Sequence, residues 1–271
     1  MTLDAAIAPL ELSRQLAAFP PPTLLDVRRQ QAFDSDPRVI PGAIRRLPEA
    51  VDDWARALEP WRSVVVYCIR GHEVGKDAAE ALRARGLDAC YLSGGVEQWR
   101  AEGFPTKAHA APTRWVTRER PKIDRIACPW LIRRFIDPTA EFFYVPKSDV
   151  RSFAVAHDAT AYDIPDVPYG HAGAECSFDA FIRRHELDHP ALAQLATIVR
   201  GADTAALDLA AQAAGLLAVS RGLSRMFADD HQMLKWGMLV YDALYEWCRE
   251  TQGSAAGDVP MGAHFAVSHG R

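Results

Sequence analysis

The segment Val64-Val65-Val66-Tyr67-Cys68-Ile69-Arg70-Gly71-His72-Glu73-Val74-Gly75 sets a thiol between an apolar, β-branched run and a stretch of helical character. In open parallel sheets the carboxyl edge of a strand is where sites form. A short loop with Gly71 can curl its backbone amides inward, and the following helix adds its positive end. That nest favours an anion at its centre: the Cys68 thiolate, a persulfide, or an incoming thiosulfate. Cys68 is the candidate nucleophile, and Ile69, Arg70, Gly71, His72, Glu73 and Val74 are the candidate anion-binding loop. The plainer reading of the same placement is an inert cysteine closing a buried strand.

A second group lies in Arg114 to Arg134, where Arg114, Arg118, Arg120, Lys122, Arg125, Arg133 and Arg134 stand against only Glu119 and Asp124, a local basic stretch in an acidic protein. Proline is best tolerated in a first helical turn, so a helix is expected to start at Pro129 with Cys128 as its N-cap. A thiol there would feel the helix dipole and nearby guanidinium groups, both of which favour thiolate and attract oxyanions. The candidates are Arg125, Cys128, Arg133 and Arg134. Alternatively, Trp130, Leu131 and Phe135 bury one face and the arginines are solvated.

Further on, His171, Glu175, Cys176 and Asp179 gather around a helix start expected to be capped by Ser177. In Asp229-Asp230-His231-Gln232, Asp229 and Gln232 suit a capping box. His171, Glu175, Cys176 and His231 are therefore the candidate metal ligands, set against capping and surface polarity as the cheaper explanation.

The elements that must position these groups differ between the halves. Thr23 to Val27 and Ser63 to Tyr67 read as buried parallel strands, with a helix over Leu47 to Leu58 between them. A helix over Val74 to Arg85 ended by Gly86, a strand over Asp88 to Leu92, a Gly94-Gly95 turn and a helix over Val96 to Glu102 follow. Before them, Leu3, Ile7, Leu10, Leu12 and Leu16 suit short amphipathic helical turns, stopped at Pro20 to Pro22. Alternation of this kind means βαβ units and a parallel sheet. The second half offers a strand at Glu141 to Val145, a proline-broken loop over Ala161 to Tyr169, and helices at Ser177 to His185, Pro190 to Arg200, Ala205 to Phe227 and Asp229 to Arg249. The fold class is α/β, a parallel sheet flanked by helices followed by a second, mainly α-helical domain with a small β element. The expected boundaries are 1–106, a linker at 107–113, and 114–271.

With 271 residues, 49% hydrophobic and 24% charged, the chain has the make-up of an ordinary two-domain globular protein. A formal net charge of −4 gives no global reason to expect nucleic acid or an acidic membrane surface. No signal peptide or bilayer-spanning run is present, so a cytoplasmic location is expected. The five cysteines, Cys68, Cys90, Cys128, Cys176 and Cys248, are odd in number and widely spaced, which excludes a disulfide framework. Cys90 falls in a strand pattern and reads as core.

Residues 20 to 106 resemble the rhodanese family. The resemblance is carried by Leu25-Asp26-Val27-Arg28, Ile40-Pro41-Gly42-Ala43, Cys68-x-x-Gly71, and Leu92-Ser93-Gly94-Gly95-Val96-x-x-Trp99-x-x-x-Gly103-x-Pro105. It implies that Cys68 takes sulfane sulfur from a donor such as thiosulfate and passes it to a thiol or cyanide, with no cofactor. Asp26 and Arg28 become framework groups. Many single-domain rhodaneses carry arginine five residues after the cysteine; Glu73 stands there in this chain, leaving Arg70 as the nearby positive charge. Residues 114 to 250 resemble the C-terminal domain of the chromate-resistance protein B family. This likeness rests on Arg120 to Asp137, Tyr162-Asp163-Ile164-Pro165, Glu175-Cys176-Ser177-Phe178-Asp179, Ile198 to Thr204, and Tyr241-Asp242-Ala243-Leu244-Tyr245. It implies a link to bacterial chromate resistance, with chromate or another oxyanion as a partner of the second domain; a metal ion there is expected from the His, Cys and carboxylate candidates instead. The family's usual N-terminal half is replaced by the rhodanese-like one, and a transcriptional role does not carry over with the resemblance.

A sulfurtransferase with an accessory oxyanion-stress domain is the leading expectation, with onward sulfur passage to Cys128 or Cys176 as an extension. The rivals are a chromate, metal or redox sensor without turnover, and a rhodanese fold with a partner-docking helical domain.

Overall fold

The computed structural model describes residues 5–252, so Leu3 and the end of the expected second domain lie outside the described residues. These form two compact units, with the chain passing from one to the other between Ala111 and Pro112.

In the first unit the elements run β1 (Ala6–Ile7), α1 (Pro9–Ala17), β2 (Thr23–Asp26), α2 (Gln30–Ser35), β3 (Arg38–Val39), β4 (Ile44–Arg45), α3 (Val51–Trp54), β5 (Val64–Tyr67), α4 (Glu73–Arg83), β6 (Ala89–Leu92), α5 (Gly95–Ala101) and β7 (Lys107–Ala108). Five strands make one parallel sheet in the order β1-β6-β5-β2-β4. Successive side chains leave a strand on opposite faces. Val65 and Tyr67 accordingly join Leu12, Leu24, Leu92 and Trp99 in one core, while Val64 and Val66 join Leu25, Ala79 and Leu82 in another. Both faces are covered, which is why these strands read as unbroken apolar runs.

Three expectations change here. Ala6–Ile7 is a strand paired with β6, not part of a helical turn; Pro9 then starts α1 where a missing N–H costs nothing. The segment at Leu47–Leu58 is a single α-turn flanked by 3-10 turns at Pro48–Ala50 and Ala55–Ala57, too short to propagate a regular helix. Lys107 and Ala108, read as linker, pair antiparallel with β3. Arg38 ties that run down by donating to the Thr106 hydroxyl at 3.1 Å, and Phe33 meets His109 edge-on at 5.2 Å.

The second unit runs β8 (Arg114–Arg118), α6 (Ile123–Leu131), β9 (Glu141–Val145), α7 (Val150–Ala156), β10 (Thr160–Ala161), α8 (Ser177–Arg184), α9 (Pro190–Asp203), α10 (Ala213–Met226) and α11 (Asp230–Thr251). Its β element is a three-stranded parallel sheet, β10-β8-β9, larger than the one strand legible in the sequence. The expected helix over Ala205 to Phe227 is broken. Ala205 takes a φ of +60°, a 3-10 turn follows at Leu207–Leu209, and α10 begins only at Ala213. Trp130 centres the helical core, in ring contact with Phe135, Phe178, Tyr241 and Tyr245. Among the described residues no helix is long and apolar enough to cross a membrane.

The helix expected to start at Pro129 begins six residues earlier, with Lys122 at its N-cap and Pro129 inside it. An internal proline removes the amide that would bond the carbonyl four residues back. That carbonyl belongs to Arg125, and the hydroxyls of Tyr144 and Tyr162 donate to it at 3.2 and 3.5 Å instead. Beyond α6 the chain widens into a π-turn over Ile132–Ile136.

Candidate functional site

Cys68 follows β5, the central strand of the first unit's sheet, and is 6% exposed. Its carbonyl accepts from the Val96 amide and that of Ile69 from the Glu97 amide, both at 3.0 Å, so the N-terminal turn of α5 anchors the loop. Because a trans peptide points its C=O and N–H in opposite directions, the amides of Ile69 and Arg70 face away from α5. On the other side stands α4. A Cβ on Gly75, its third residue, would lie 3.3 Å from Cys68 Sγ, so the sulfur rests against the first helical turn. The amides of that turn have no partner within the helix, and His72 supplies no side-chain cap. Gly71 (φ +66°) lies so close over the Leu92 carbonyl that a Cβ there would meet it at 2.4 Å.

Of the loop side chains, Ile69, Arg70, His72 and Glu73 are exposed and Val74 is half-buried. Arg70 is ion-paired with Glu97 at 3.0 Å, so it is not a free positive charge over the loop. Beneath the loop, Asp26 is buried and holds Arg28 through Nε and Nη2 at 3.0 and 2.5 Å, while the Tyr67 hydroxyl donates to it at 3.2 Å. Arg28 also donates to the carbonyls of Asp36 and Arg38, which makes this pair a clamp on the chain. Cys90 is half-buried in β6, and burial pushes its thiol up to about 11.

The second unit disperses the expected anion patch. Arg114 pairs with Glu141, and Arg120 donates to the carbonyls of Phe227 and Ala228 after α10. Arg133 lies over the Phe142 ring and donates to the Ala140 carbonyl. Arg134, 3% exposed, is bound to Asp242 by two hydrogen bonds of 2.8 Å. Arg133 and Arg134 are thus structural groups, not oxyanion ligands. Cys128 is fully buried inside α6, where desolvation and then Asp124 push its thiol well up. The expected helix-cap thiolate is overturned, because the helix begins before Cys128 and the thiol is fully buried. Cys176 is likewise buried and raised by desolvation, and it, not Ser177, caps α8.

The metal-ligand candidates separate. Ala172 and Glu175 exchange two backbone hydrogen bonds across a tight turn, and Glu175 goes outward to Arg183. His231 is exposed in the first turn of α11, its ring 5.5 Å from that of Tyr144. His171 alone enters a cluster. Its Nε2 lies 3.5 Å from Asp124 Oδ2, 3.3 Å from Asp163 Oδ1 and 3.1 Å from Asp203 Oδ2. Asp124 comes from the first turn of α6, Asp163 from the loop after β10, and Asp203 from the last turn of α9. Arg118 and Arg125 both pair with Asp163 Oδ2, at 3.0 and 3.2 Å. Ser177 donates its amide to Asp124 at 2.5 Å and its hydroxyl to Asp163 at 3.0 Å. Hydrogen bonds to Asp124 and Asp163 raise His171 to about 10. Burial, then Asp124, raises Asp203 to about 7. Burial also pushes Asp163 up, but His171 and Arg118 outweigh it and the net shift is down.

Residues 8–102 match the model of the rhodanese-like domain, and residues 115–248 that of the ChrB C-terminal domain. The chain carries a rhodanese-like domain followed by a ChrB C-terminal domain. Protein ChrB of Cupriavidus metallidurans (strain CH34) is 35% identical over 132 residues, which is 48% of this chain and 39% of that relative. The chain therefore spans well under half the length of the curated relative it matches. Among solved structures, a rhodanese-related protein from Thermoplasma volcanium is 25% identical, with 38% of this chain and 98% of that chain covered and a TM-score of 0.34. A rhodanese-like domain protein from Staphylococcus aureus is 24% identical, covering 39% and 98%, with a TM-score of 0.34.

In the rhodanese-like domain the loop residues singled out from sequence follow Cys68 directly, and the residue that lies against its sulfur is Gly75, in the first turn of α4. In the ChrB C-terminal domain sequence reasoning missed Asp124, Asp163, Asp203 and Arg118. A signal was present: the first three sit in separate stretches that carry the family resemblance, each beside a residue of opposite charge or a turn.

Proposed function

We propose that the protein is a sulfurtransferase acting through a persulfide on Cys68. The Cys68 thiolate attacks the sulfane sulfur of a donor such as thiosulfate. An S–S bond forms to Sγ, the donor's own S–S bond breaks, and sulfite leaves with the electron pair. A thiolate or cyanide then attacks the outer sulfur, releasing a persulfide or thiocyanate and restoring the Cys68 thiolate. The observation that carries this reading is Sγ lying against Gly75 in the uncapped first turn of α4. Partial positive charge from that turn favours an anion seated there, such as a persulfide or an incoming anionic donor. Glu73 at the loop exit and the engagement of Arg70 by Glu97 weaken the case for a dianionic donor, so a monoanionic or protein-borne persulfide fits the loop better than thiosulfate. The ChrB C-terminal domain makes chromate or another oxyanion stress the setting. A persulfide reduces more readily than a thiol, which gives the pairing a chemical sense.

The test is mass spectrometry of the full chain after donor exposure, together with thiosulfate–cyanide turnover. A single added sulfur on Cys68 is expected, with turnover falling by about three orders of magnitude or more in Cys68→Ser. Sulfur on another cysteine, or turnover surviving the substitution, overturns the reading. Chromate binding without any turnover would make the protein a sensor instead.

A further inference from the structure

We propose that Asp124, Asp163 and His171 in the ChrB C-terminal domain, with Asp203 beside the imidazole, form a binding site for one divalent transition-metal ion. Three carboxylates from three separate elements converge on one imidazole nitrogen at 3.1 to 3.5 Å. Ligand atoms about 2.1 Å from a shared metal stand roughly 3.0 Å apart in an octahedron and 3.4 Å apart in a tetrahedron. The 3.1 and 3.3 Å spacings fall in that range, and the 3.5 Å spacing lies just beyond it. One ligand atom each from Asp124, Asp163 and His171 all lie within 4.8 Å of one another.

A second observation points to an absent cation. Asp124 is 1% exposed; its Oδ2 faces His171 and accepts the Ser177 amide at 2.5 Å, while its Oδ1 is buried with no hydrogen-bond partner. Buried carboxylate oxygens are normally satisfied, because desolvating one without a partner is costly. A metal ion in the cluster neutralises that carboxylate directly.

The surroundings orient the ligands as outer groups do in metal sites. Arg118 and Arg125 take Asp163 Oδ2 and leave Oδ1 turned to His171. The Asp124 amide donates to Asp203 Oδ1 at 3.4 Å, leaving Oδ2 turned to His171. His171 is 43% exposed and Asp203 20%, whereas Asp124 forms the floor, so the site opens to solvent on one side. Oxygen donors with one imidazole and no thiolate select Mn²⁺, Fe²⁺ or Zn²⁺ over soft ions, and the imidazole disfavours Ca²⁺ and Mg²⁺.

The test uses the chelator-treated full-length protein and Mn²⁺, which thiols bind weakly. Loss of the free-ion electron paramagnetic resonance signal should count one Mn²⁺ per chain, with nitrogen coupling from a bound imidazole. His171→Gln should abolish the nitrogen coupling and weaken binding at least tenfold, and Asp203→Asn, which removes a carboxylate beside the imidazole, should weaken it by a smaller factor. Circular dichroism and melting in chelator identify any variant that has simply unfolded; His171→Gln and Asp203→Asn both alter partly exposed side chains, so one folded variant suffices. Absence of Mn²⁺ and Zn²⁺ binding at millimolar concentration overturns the proposal, as does unchanged affinity in a folded variant. A fall in metal-free melting temperature for His171→Gln, with no metal bound by the parent, would leave an imidazolium–carboxylate cluster in place of a metal site.

Discussion

At the residue scale the first domain depends on two buried groups with opposite duties. Cys68 keeps a sliver of exposure at the end of β5, while Asp26 and Arg28, 0% and 2% exposed, never meet solvent. Removing one partner of a buried ion pair strands the other's charge. Asp26→Ala is therefore expected to cost about 3–5 kcal/mol in urea unfolding, since it also leaves the Tyr67 hydroxyl without its acceptor. A loss within a few tenths of a kcal/mol would show that water reaches Arg28. Both residues were legible only through the rhodanese resemblance that Leu25-Asp26-Val27-Arg28 helps to carry, which gave them framework roles. Cys128 was misread for a local reason. Its neighbour Pro129 looked like a helix start, and nothing in the sequence revealed that two tyrosines from elsewhere serve the carbonyl that proline leaves open.

At the scale of elements, the β5–α4 connection works because Gly75 has no side chain. Any Cβ there would crowd the sulfur at 3.3 Å, tighter still for a persulfide. Gly75→Ala is expected to lower sulfur transfer by about tenfold to a hundredfold, the scale of a misplaced reacting atom. Helix α4 should keep its stability, since alanine is the better helix former. Equal activity in the variant would place the transferred sulfur away from α4. The long periodic elements, α4, α9 and α11, were readable because each buries one stripe. The two-residue strands β1, β3, β4, β7 and β10 were not: they are fixed by pairing with distant partners, and two residues carry no period. The three carboxylates around His171 escaped for the same cause: they lie up to 79 residues apart, on α6, on α9 and in the loop after β10.

At the scale of the whole molecule, each unit buries its own core, with two apolar clusters in the first and the Trp130 and Val116 groupings in the second. The exposed Ala110 and Ala111 between them are small, polar-flanked positions of the kind proteases nick. Brief elastase digestion is expected to cut there and leave two resistant fragments, read by mass spectrometry. Cutting first inside either unit would show that its core is not closed. Two closed cores under one chain also make inheritance modular. A lesion in one core falls first on the half that buries it, and each half carries within itself the packing that its own fold needs.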